Sequence, residues 1–376
     1  MAGIYIHIPF CKRKCHYCNF YSIASLKNYK EFMEGIIEEI FLRKNYLEGK
    51  EINTIYFGGG TPSYLEISDL KKILEEIQKY YLFNPNAEIT LEANPDDLNP
   101  NILSEYKKAG INRLSIGVQS FHEDDLQYLN RIHSAIRAEA SIHEALDAGF
   151  DNLSIDLIYG IPSLSSEKWE KNLEQAFSNG IPHISAYSLT VEPKTALDVL
   201  IHKKRLAAPV EERGIENFHI LLRKMKEHGY EHYEISNFCK PGHYSRHNCQ
   251  YWNGEHYLGL GPSAHSYNGH SRQWNVRSIL EYAGQIHHGG RFFEIEELSP
   301  EQHYNEFIMV HLRTIWGCDL NKLREKFGNE LAESFSVLAK KHLSNGKLAE
   351  NGGIYTLTDE GKLFADGIAS DLFSDT

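Results

Sequence analysis

The sequence of 376 residues has few of the features that mark membrane, secreted or nucleic-acid-binding proteins. No apolar run approaches the roughly 18–20 residues that a membrane-spanning helix needs. The first residues, MAGIYIHIPF, lack the charged start and long apolar segment of a secretion signal. The 39 Lys and Arg are outnumbered by 51 Asp and Glu, whereas binding nucleic-acid phosphates needs a basic face. We therefore expect a cytoplasmic protein that binds no nucleic acid.

Cysteine is scarce, and its distribution is uneven. A cytosolic chain with six cysteines does not use them as a disulfide framework. Three of the six lie within eight residues, at Cys11, Cys15 and Cys18. Of the scattered remainder, we expect Cys239 and Cys318 to be small buried side chains.

The first two thirds of the chain alternates short apolar stretches with helical patterns. Short, β-branched, apolar stretches are typical of strands buried on both faces, and their alternation with helices predicts a parallel sheet. Six such units indicate an α/β fold with a partial (β/α)6 barrel, whose chemistry lies at the carboxyl ends of the strands. The predicted strands are Ile4–Ile8, Thr54–Phe57, Glu88–Glu92, Arg113–Gly117, Asn152–Leu157 and His183–Ser188, and the first predicted helix is Tyr29–Leu47.

The remaining residues divide into two further parts. We expect the barrel to occupy residues 1–200 and an extension rich in His, Tyr, Trp and Asn to occupy residues 201–295. Residues 296–376 predict two or three helices followed by a hairpin that turns at Asn351-Gly352-Gly353, as in a winged helix. This last part holds 8 Lys and Arg against 14 Asp and Glu, which favours a structural or docking role over DNA binding.

The three clustered cysteines follow the first predicted strand with the spacing C-x3-C-x2-C. Thiolates bind soft metals and iron–sulfur clusters. Three thiolates would leave one iron of a four-iron cluster open to another ligand, as a catalytic zinc site keeps one open position. The residues alone leave two alternatives, a zinc knuckle with a distant fourth ligand and three free thiols.

The cysteine motif resembles the signature of the radical-SAM superfamily. Tyr17, before the third cysteine, matches the usual pattern, and so does the turn Gly58-Gly59-Gly60-Thr61-Pro62 after the second strand. The resemblance implies a [4Fe–4S] cluster on Cys11, Cys15 and Cys18. S-adenosylmethionine (SAM) would then bind the open iron, and an electron from the cluster would cleave it to a 5′-deoxyadenosyl radical. Gly59, Gly60 and Thr61 would contact the methionyl amine of SAM.

Further segments are similar to oxygen-independent coproporphyrinogen III dehydrogenase and its relatives. The resemblance implies that Glu92, Gln119, Arg131 and Asp156 contact SAM and that Tyr5 lies near the cluster or SAM. A carboxylate at a strand end can accept hydrogen bonds from ribose hydroxyls, and an arginine can pair with a carboxylate as a fork. The matching segments are YIHIPFC at 5–11, LEANP at 91–95, GVQSF at 117–121, NR at 130–131 and DLIYG at 156–160.

Two departures from the dehydrogenase point to a related family of heme chaperones, HemW. The dehydrogenase has a fourth cysteine two residues after the third, where this chain has Phe20. It also has an N-terminal extension that reaches its active site, whereas the first strand predicted here begins at residue 4. The HNxxYW motif of the chaperone family is present at residues 247–252, and the segment GLGPSAHS at 259–266 is also similar.

The motif suits heme, because imidazole is a common axial ligand of heme iron and aromatic rings stack on the macrocycle. We predict His247 as the iron ligand, with His265 and Cys249 as weaker alternatives. Tyr251 and Trp252 would contact the macrocycle.

The resemblance predicts a protein that binds heme, a [4Fe–4S] cluster and SAM and transfers heme to apo-hemoproteins. Family members dimerise through the cluster region and can contact the membrane. The resemblance therefore implies that this chain forms a homodimer and makes peripheral contact with a membrane. Two rival functions stay open. One is the dehydrogenase itself, which decarboxylates two propionates of coproporphyrinogen III, and the other is a radical-SAM methyltransferase.

Overall fold

The six strands predicted from the sequence are all present in the structure, a computed structural model that describes residues 1–374. They pair in chain order and all run parallel. In the first, fourth and fifth of these strands nearly every side chain is buried, as expected for strands covered on both faces. The strands are β1 (Ala2–Ile8), β2 (Ile52–Gly59), β3 (Phe83–Ala93), β4 (Arg113–Gln119), β5 (Leu153–Tyr159) and β6 (His183–Ser188).

Helices connect these strands and complete the partial barrel that the sequence predicts. Asn99, Ser134 and Ser165 each accept a backbone N–H bond at a helix start, so local capping sets where these helices begin. The helices are α1 (Tyr29–Leu42), α2 (Ile67–Tyr80), α3 (Pro100–Lys108), α4 (Glu123–Tyr128), α5 (Ala135–Asp147) and α6 (Ser166–Ser178).

The first helix ends five residues earlier than the sequence predicts. Residues 43–50 form a series of turns in which Glu48 has a φ of +52°. These turns still bury Leu47, which is 1% exposed. The apolar periodicity of the sequence therefore extends beyond the helix, into turns that still place an apolar side chain in the core.

The extension adds strands to both edges of the same sheet. On one edge β8 pairs with β6 and β7 pairs with β8, both antiparallel. On the other edge β9 lies parallel to β1 and is followed by three antiparallel strands, β10 to β12. The elements are α7 (Ala196–His202), α8 (Glu211–Glu227), β7 (Glu231–Glu234), β8 (Asn237–Cys239), α9 (Arg246–Trp252), β9 (His256–Leu260), β10 (His265–Tyr267), β11 (Ser271–Asn275), α10 (Ile279–His287) and β12 (Phe293–Glu297).

The C-terminal part has its own core and the expected winged-helix-like order of elements. Three helices precede a hairpin that turns at Gly352 and Gly353, both with positive φ. Cys318, at the start of a short third strand, is fully buried in this core. The elements are α11 (Pro300–Leu312), β13 (Cys318–Asp319), α12 (Leu320–Phe327), α13 (Asn329–Ser344), β14 (Leu348–Asn351), β15 (Ile354–Leu357), α14 (Asp359–Lys362) and α15 (Ala365–Asp371).

Among the helices of residues 1–374, none has the length and apolar character that crossing a membrane would require.

A buried carboxylate on α1 fastens the extension to the barrel. Glu39 is fully buried and accepts hydrogen bonds from the Gly261 backbone N–H at 2.8 Å, the Asn275 side-chain amide at 2.8 Å and the Tyr282 hydroxyl at 2.5 Å. Burial raises the pKa of Glu39, while the nearby Arg43 and the three donors oppose that rise. One side chain thus joins α1 to β11, α10 and the end of β9.

Glu39→Ala should lower the free energy of unfolding by on the order of 3 kcal/mol, because three buried donors lose their acceptor. Glu38→Ala, an exposed neighbour on the same helix, is the matched control and should change it by less than about 0.5 kcal/mol. Chemical denaturation of both variants measures the difference. Equal effects would show that the buried network does not fasten the extension.

Candidate functional site

The three clustered cysteines lie on a loop that leaves the carboxyl end of β1. Backbone bonds fix this loop at its start and near its middle. The Cys11 N–H bonds the Ile23 carbonyl at 3.0 Å, and the His16 N–H bonds the Leu129 carbonyl at 3.1 Å. Cys11 is buried, Cys15 and Cys18 are half-buried, and all three are free thiols.

The glycine turn after β2 lies directly against this loop. A Cβ atom on Gly60 would lie 2.8 Å from the carbonyl oxygens of Ile8 and Phe10 and 3.1 Å from the Cys11 Sγ atom. Gly59 has a φ of +110°, which side-chain-bearing residues rarely adopt. Glycine is therefore required here for close approach of the turn to the cysteine loop.

Two carboxylates lie inside the barrel, on β3 and β5. Glu92 accepts a bond from the Tyr56 hydroxyl at 2.8 Å, and Asp156 accepts one from the Ser115 hydroxyl at 3.4 Å. Burial raises the pKa of Glu92 to about 7, with the nearby Asp156 adding to the rise. Burial also raises the pKa of Asp156 to about 6. A cationic ligand would relieve the cost of holding both charges.

Arg131 lies beside the carboxyl end of β4 and contacts the cysteine loop. Its guanidinium donates to the Cys15 Sγ at 3.2 Å, to the Asn94 side-chain oxygen at 2.5 Å and to the Gly117 carbonyl at 2.9 Å. Its Nε atom is buried and has no partner within the described part of the chain. A buried unpaired donor costs about 1–3 kcal/mol, so an anionic ligand group would be stabilised here.

These residues share one pocket at the carboxyl ends of the strands. Gln119, which ends β4 with a φ of +67°, completes its floor. Sequence reasoning missed Asn94, although it lies in the LEANP segment and orients Arg131. The predicted residues that line the pocket are Cys11, Cys15, Cys18, Gly59, Gly60, Thr61, Glu92, Gln119, Arg131 and Asp156.

Tyr5 does not line this pocket. Its ring packs behind Gly58, where an added Cβ atom would lie 2.9 Å from the ring, and it lies 6.1 Å from the ring of Tyr56 between centroids. The Tyr5 hydroxyl lies 3.3 Å from His7 Nδ1. The expected contact of Tyr5 with the cluster or SAM remains a prediction, and its observed neighbours are barrel side chains.

The pocket fits a [4Fe–4S] cluster and SAM. No three His, Cys, Asp or Glu side chains of residues 1–374 are grouped to hold a single metal ion. A four-iron cluster gives each thiolate its own iron, so the three sulfurs need not converge on one point. Cys11, Cys15 and Cys18 would hold the cluster. The unpaired Arg131 Nε atom and the acidic pair Glu92 and Asp156 suit the carboxylate and the positive charges of SAM.

His247 lies in the first turn of α9 and does not line the cluster pocket. Thr54 donates its hydroxyl proton to Gln250, so His247 Nδ1–H donates to Thr54 Oγ1 at 2.7 Å. His247 Nε2 then accepts from the Tyr251 hydroxyl at 2.8 Å. The ring is 1% exposed and stacks on Tyr56, and burial lowers its pKa to about 3. The predicted iron ligand is thus neutral, enclosed and already bonded at both nitrogens.

The other heme-ligand alternatives are placed differently. Burial raises the pKa of the Cys249 thiol to about 12, which disfavours the thiolate that iron would need. His265 is exposed, and its ring lies 6.2 Å from that of Trp274. Cys239 is fully buried, as expected of a packing residue.

Comparison with known proteins agrees with this geometry. Residues 5–176 match the family model of the radical SAM superfamily, and residues 298–364 match that of the HemN C-terminal domain. A solved structure of coproporphyrinogen III oxidase (HemN) from Escherichia coli, described as a radical SAM enzyme, superposes with a TM-score of 0.86 at 21% identity, covering 100% of this chain and 90% of that one. The fold is that of the radical-SAM class.

Relatives with similar sequences identify the family to which the chain belongs within this class. The heme chaperone HemW of Bacillus subtilis is 36% identical over 374 residues, covering 98% of both chains. That of Mycobacterium tuberculosis is 34% identical over 377 residues, covering 98% of this chain and 94% of its own. The Escherichia coli protein of the same name is 36% identical over 266 residues, or 70% of this chain and 69% of its own. The chain belongs to the HemW family.

Cys15→Ser should abolish cluster assembly, because hydroxyl oxygen is a poor replacement for thiolate on iron. Iron and sulfide content after anaerobic reconstitution, together with the visible absorption of the cluster, measures the loss. Cys249→Ser, a half-buried cysteine outside the pocket, is the matched control and should keep a full cluster. A full cluster in Cys15→Ser would exclude that thiolate as a ligand.

Glu92→Gln should stabilise the protein without cluster or SAM at pH 8 by on the order of 2 kcal/mol and have little effect at pH 5. The folded-state pKa of about 7 lies above the ordinary value of 4.5, so the destabilisation from ionising Glu92 builds up as pH rises from 4.5 to 7, is small at pH 5 and is complete above 7. The same variant should weaken SAM binding. Thermal unfolding at both pH values tests the first effect, and equal shifts at the two would contradict the assigned pKa.

Proposed function

We propose that this chain is a heme chaperone, which binds heme and transfers it to apo-hemoproteins. The observation that carries the proposal is sequence similarity to relatives named heme chaperone HemW over nearly their whole length. In the Bacillus subtilis case the identity is 36%, and the aligned region covers 98% of both chains. Similarity of that extent includes the cysteine pocket, the extension with its HNxxYW segment and the C-terminal part. The cargo is heme, and the partners are apo-hemoproteins.

The cluster and SAM are resident groups of this proposal rather than the cargo. The cysteine loop would hold the cluster, Arg131 would bind the SAM carboxylate, and Glu92 would accept hydrogen bonds from the ribose. The proposal places the protein in the cytoplasm. It includes a homodimer formed at the cluster region and peripheral contact with a membrane, both taken from the family resemblance.

The rival is the decarboxylating dehydrogenase, and the similarity to its solved structure supports the shared fold. One residue of this chain favours the chaperone. Phe20 stands where the dehydrogenase has its fourth cysteine, lines the mouth of the cluster pocket and is 65% exposed. It supplies no thiolate there.

Full-length protein, reconstituted anaerobically with its cluster, should bind hemin saturably and pass it to a heme-free b-type hemoprotein. A stoichiometric Soret band measures binding. Its replacement by the spectrum of the acceptor, after the two proteins are separated, measures transfer. Absence of saturable binding, or transfer no faster than from free hemin, would overturn the chaperone proposal.

The rivals are tested in the same preparation. With SAM and a reductant present, coproporphyrinogen III should be recovered unchanged, and no methyl label should pass from SAM to the bound porphyrin. Formation of the decarboxylated product would establish the dehydrogenase instead, and transfer of the label would establish a methyltransferase.

A further inference from the structure

A second cavity, of about 680 Å³, lies away from the cluster pocket, between the extension and helix α11. Its volume is within the 300–1,000 Å³ range of small-molecule sites. Six aromatic side chains from both walls line it, which we call the aromatic cleft: Tyr251, Trp252, Tyr257, Tyr267, Phe307 and Phe327. Tyr251 and Trp252 are the last two residues of the HNxxYW motif. The motif thus faces this cleft with its aromatic residues, whereas its histidine is enclosed behind them.

The walls of the cleft are fastened to each other. Arg272 on β11 pairs with Glu306 on α11 at 2.9 Å, which bridges the two walls. The Tyr251 ring meets the Tyr257 ring edge-on at 4.7 Å between centroids. The cleft is therefore a formed space rather than a gap between loosely placed segments.

His311 has the features of a metal ligand that is poised to bind. It lines the cleft, and its Nδ1–H donates to the Phe307 carbonyl at 2.8 Å. That bond fixes the tautomer and leaves a lone pair on Nε2, as a second partner does for many metal-bound histidines. Within the described residues, Nε2 has no hydrogen-bond partner. Burial lowers the pKa of His311 against the opposing effect of the Phe307 carbonyl, and Lys326 and Lys322 add to the decrease, which favours the neutral ring.

Polar groups without partners lie in the same cleft. The Trp252 indole N–H and the Arg272 Nε atom are buried, and neither has an acceptor anywhere in residues 1–374. Lys326 lines the cleft 5.4 Å from the centre of the Phe307 ring and forms no ion pair with any described carboxylate. Glu306 supplies the opposing charge, which Arg272 neutralises. The unpaired donors suit the carboxylates of a bound ligand.

We propose that the aromatic cleft is the heme site, with His311 Nε2 as the axial ligand of the iron. The rings of Tyr251, Trp252 and Phe327 would enclose the macrocycle, and Lys326 would meet a propionate. This inference rests on the proposed chaperone function and assigns its cargo site. His247 is then a positioning residue, which holds the Tyr251 hydroxyl rather than the iron.

The test is a hemin titration of the full-length, cluster-loaded protein, followed by its Soret band. His311→Ala should weaken hemin binding by roughly tenfold or more and change the spin state of the bound iron. His311→Met should retain binding but shift the Soret band, because a thioether replaces the imidazole. His219→Ala, an exposed histidine on α8, is the matched control and should titrate like the wild type. SAM binding by each variant checks that it is folded.

A parallel series separates the two histidines. His247→Ala should reduce affinity while keeping the wild-type Soret position, since it removes support for Tyr251 but not the ligand. Lys326→Ala should weaken hemin binding without changing the spectrum of the bound form.

The outcomes distinguish this inference from the function on which it rests. Wild-type protein that binds no hemin overturns the chaperone proposal itself. Wild-type binding that His311→Ala leaves unchanged in affinity and spectrum overturns the assignment of His311. A changed Soret position in His247→Ala alone would return the ligand to the motif.

Discussion

The parallel pairing of β1 to β6 is the constraint on which the site depends. Parallel strands present their carboxyl ends at one edge, so residues far apart in sequence meet wherever their strands end. Cys11 follows β1, Gly60 follows β2, Glu92 is near the end of β3, Gln119 ends β4 and Asp156 lies on β5. The pocket is therefore a consequence of strand order. The hydrogen bonds of Glu39 hold the extension against α1, on the outside of the barrel.

Much of this could be predicted from the sequence, because the strands are short, apolar and buried on both faces and the chemistry follows their ends. The cysteine spacing and the glycine turn mark the pocket locally. Other features depend on contacts that no local pattern carries. The bond from Arg131 to Asn94 joins residues 37 positions apart, and β9 pairs in parallel with β1 across most of the chain. The position of the Tyr5 ring behind Gly58 likewise depends on which face of β1 borders the pocket.

The HNxxYW motif shows what a local pattern leaves open. It predicts His247 as an iron ligand, and the structure encloses that ring between Thr54, Tyr56 and Tyr251. The Tyr56 hydroxyl bonds Glu92. Buried side chains thus connect the SAM pocket to the aromatic cleft through direct contacts. The role proposed for His311 could not be inferred from a sequence with 20 histidines, because the fixed tautomer of His311 and its place in the cleft are visible only in three dimensions.

The cluster with SAM and the heme are proposed to occupy two different pockets, and simultaneous occupancy is the most direct test of this two-site arrangement. The measurement is the content of iron, sulfide, SAM and heme in one anaerobic sample loaded with all three and freed of excess ligand. We expect cluster, SAM and heme each to be retained in equal amounts, with the cluster spectrum unaltered by heme. Loss of the cluster or of SAM in proportion to the heme bound would contradict it.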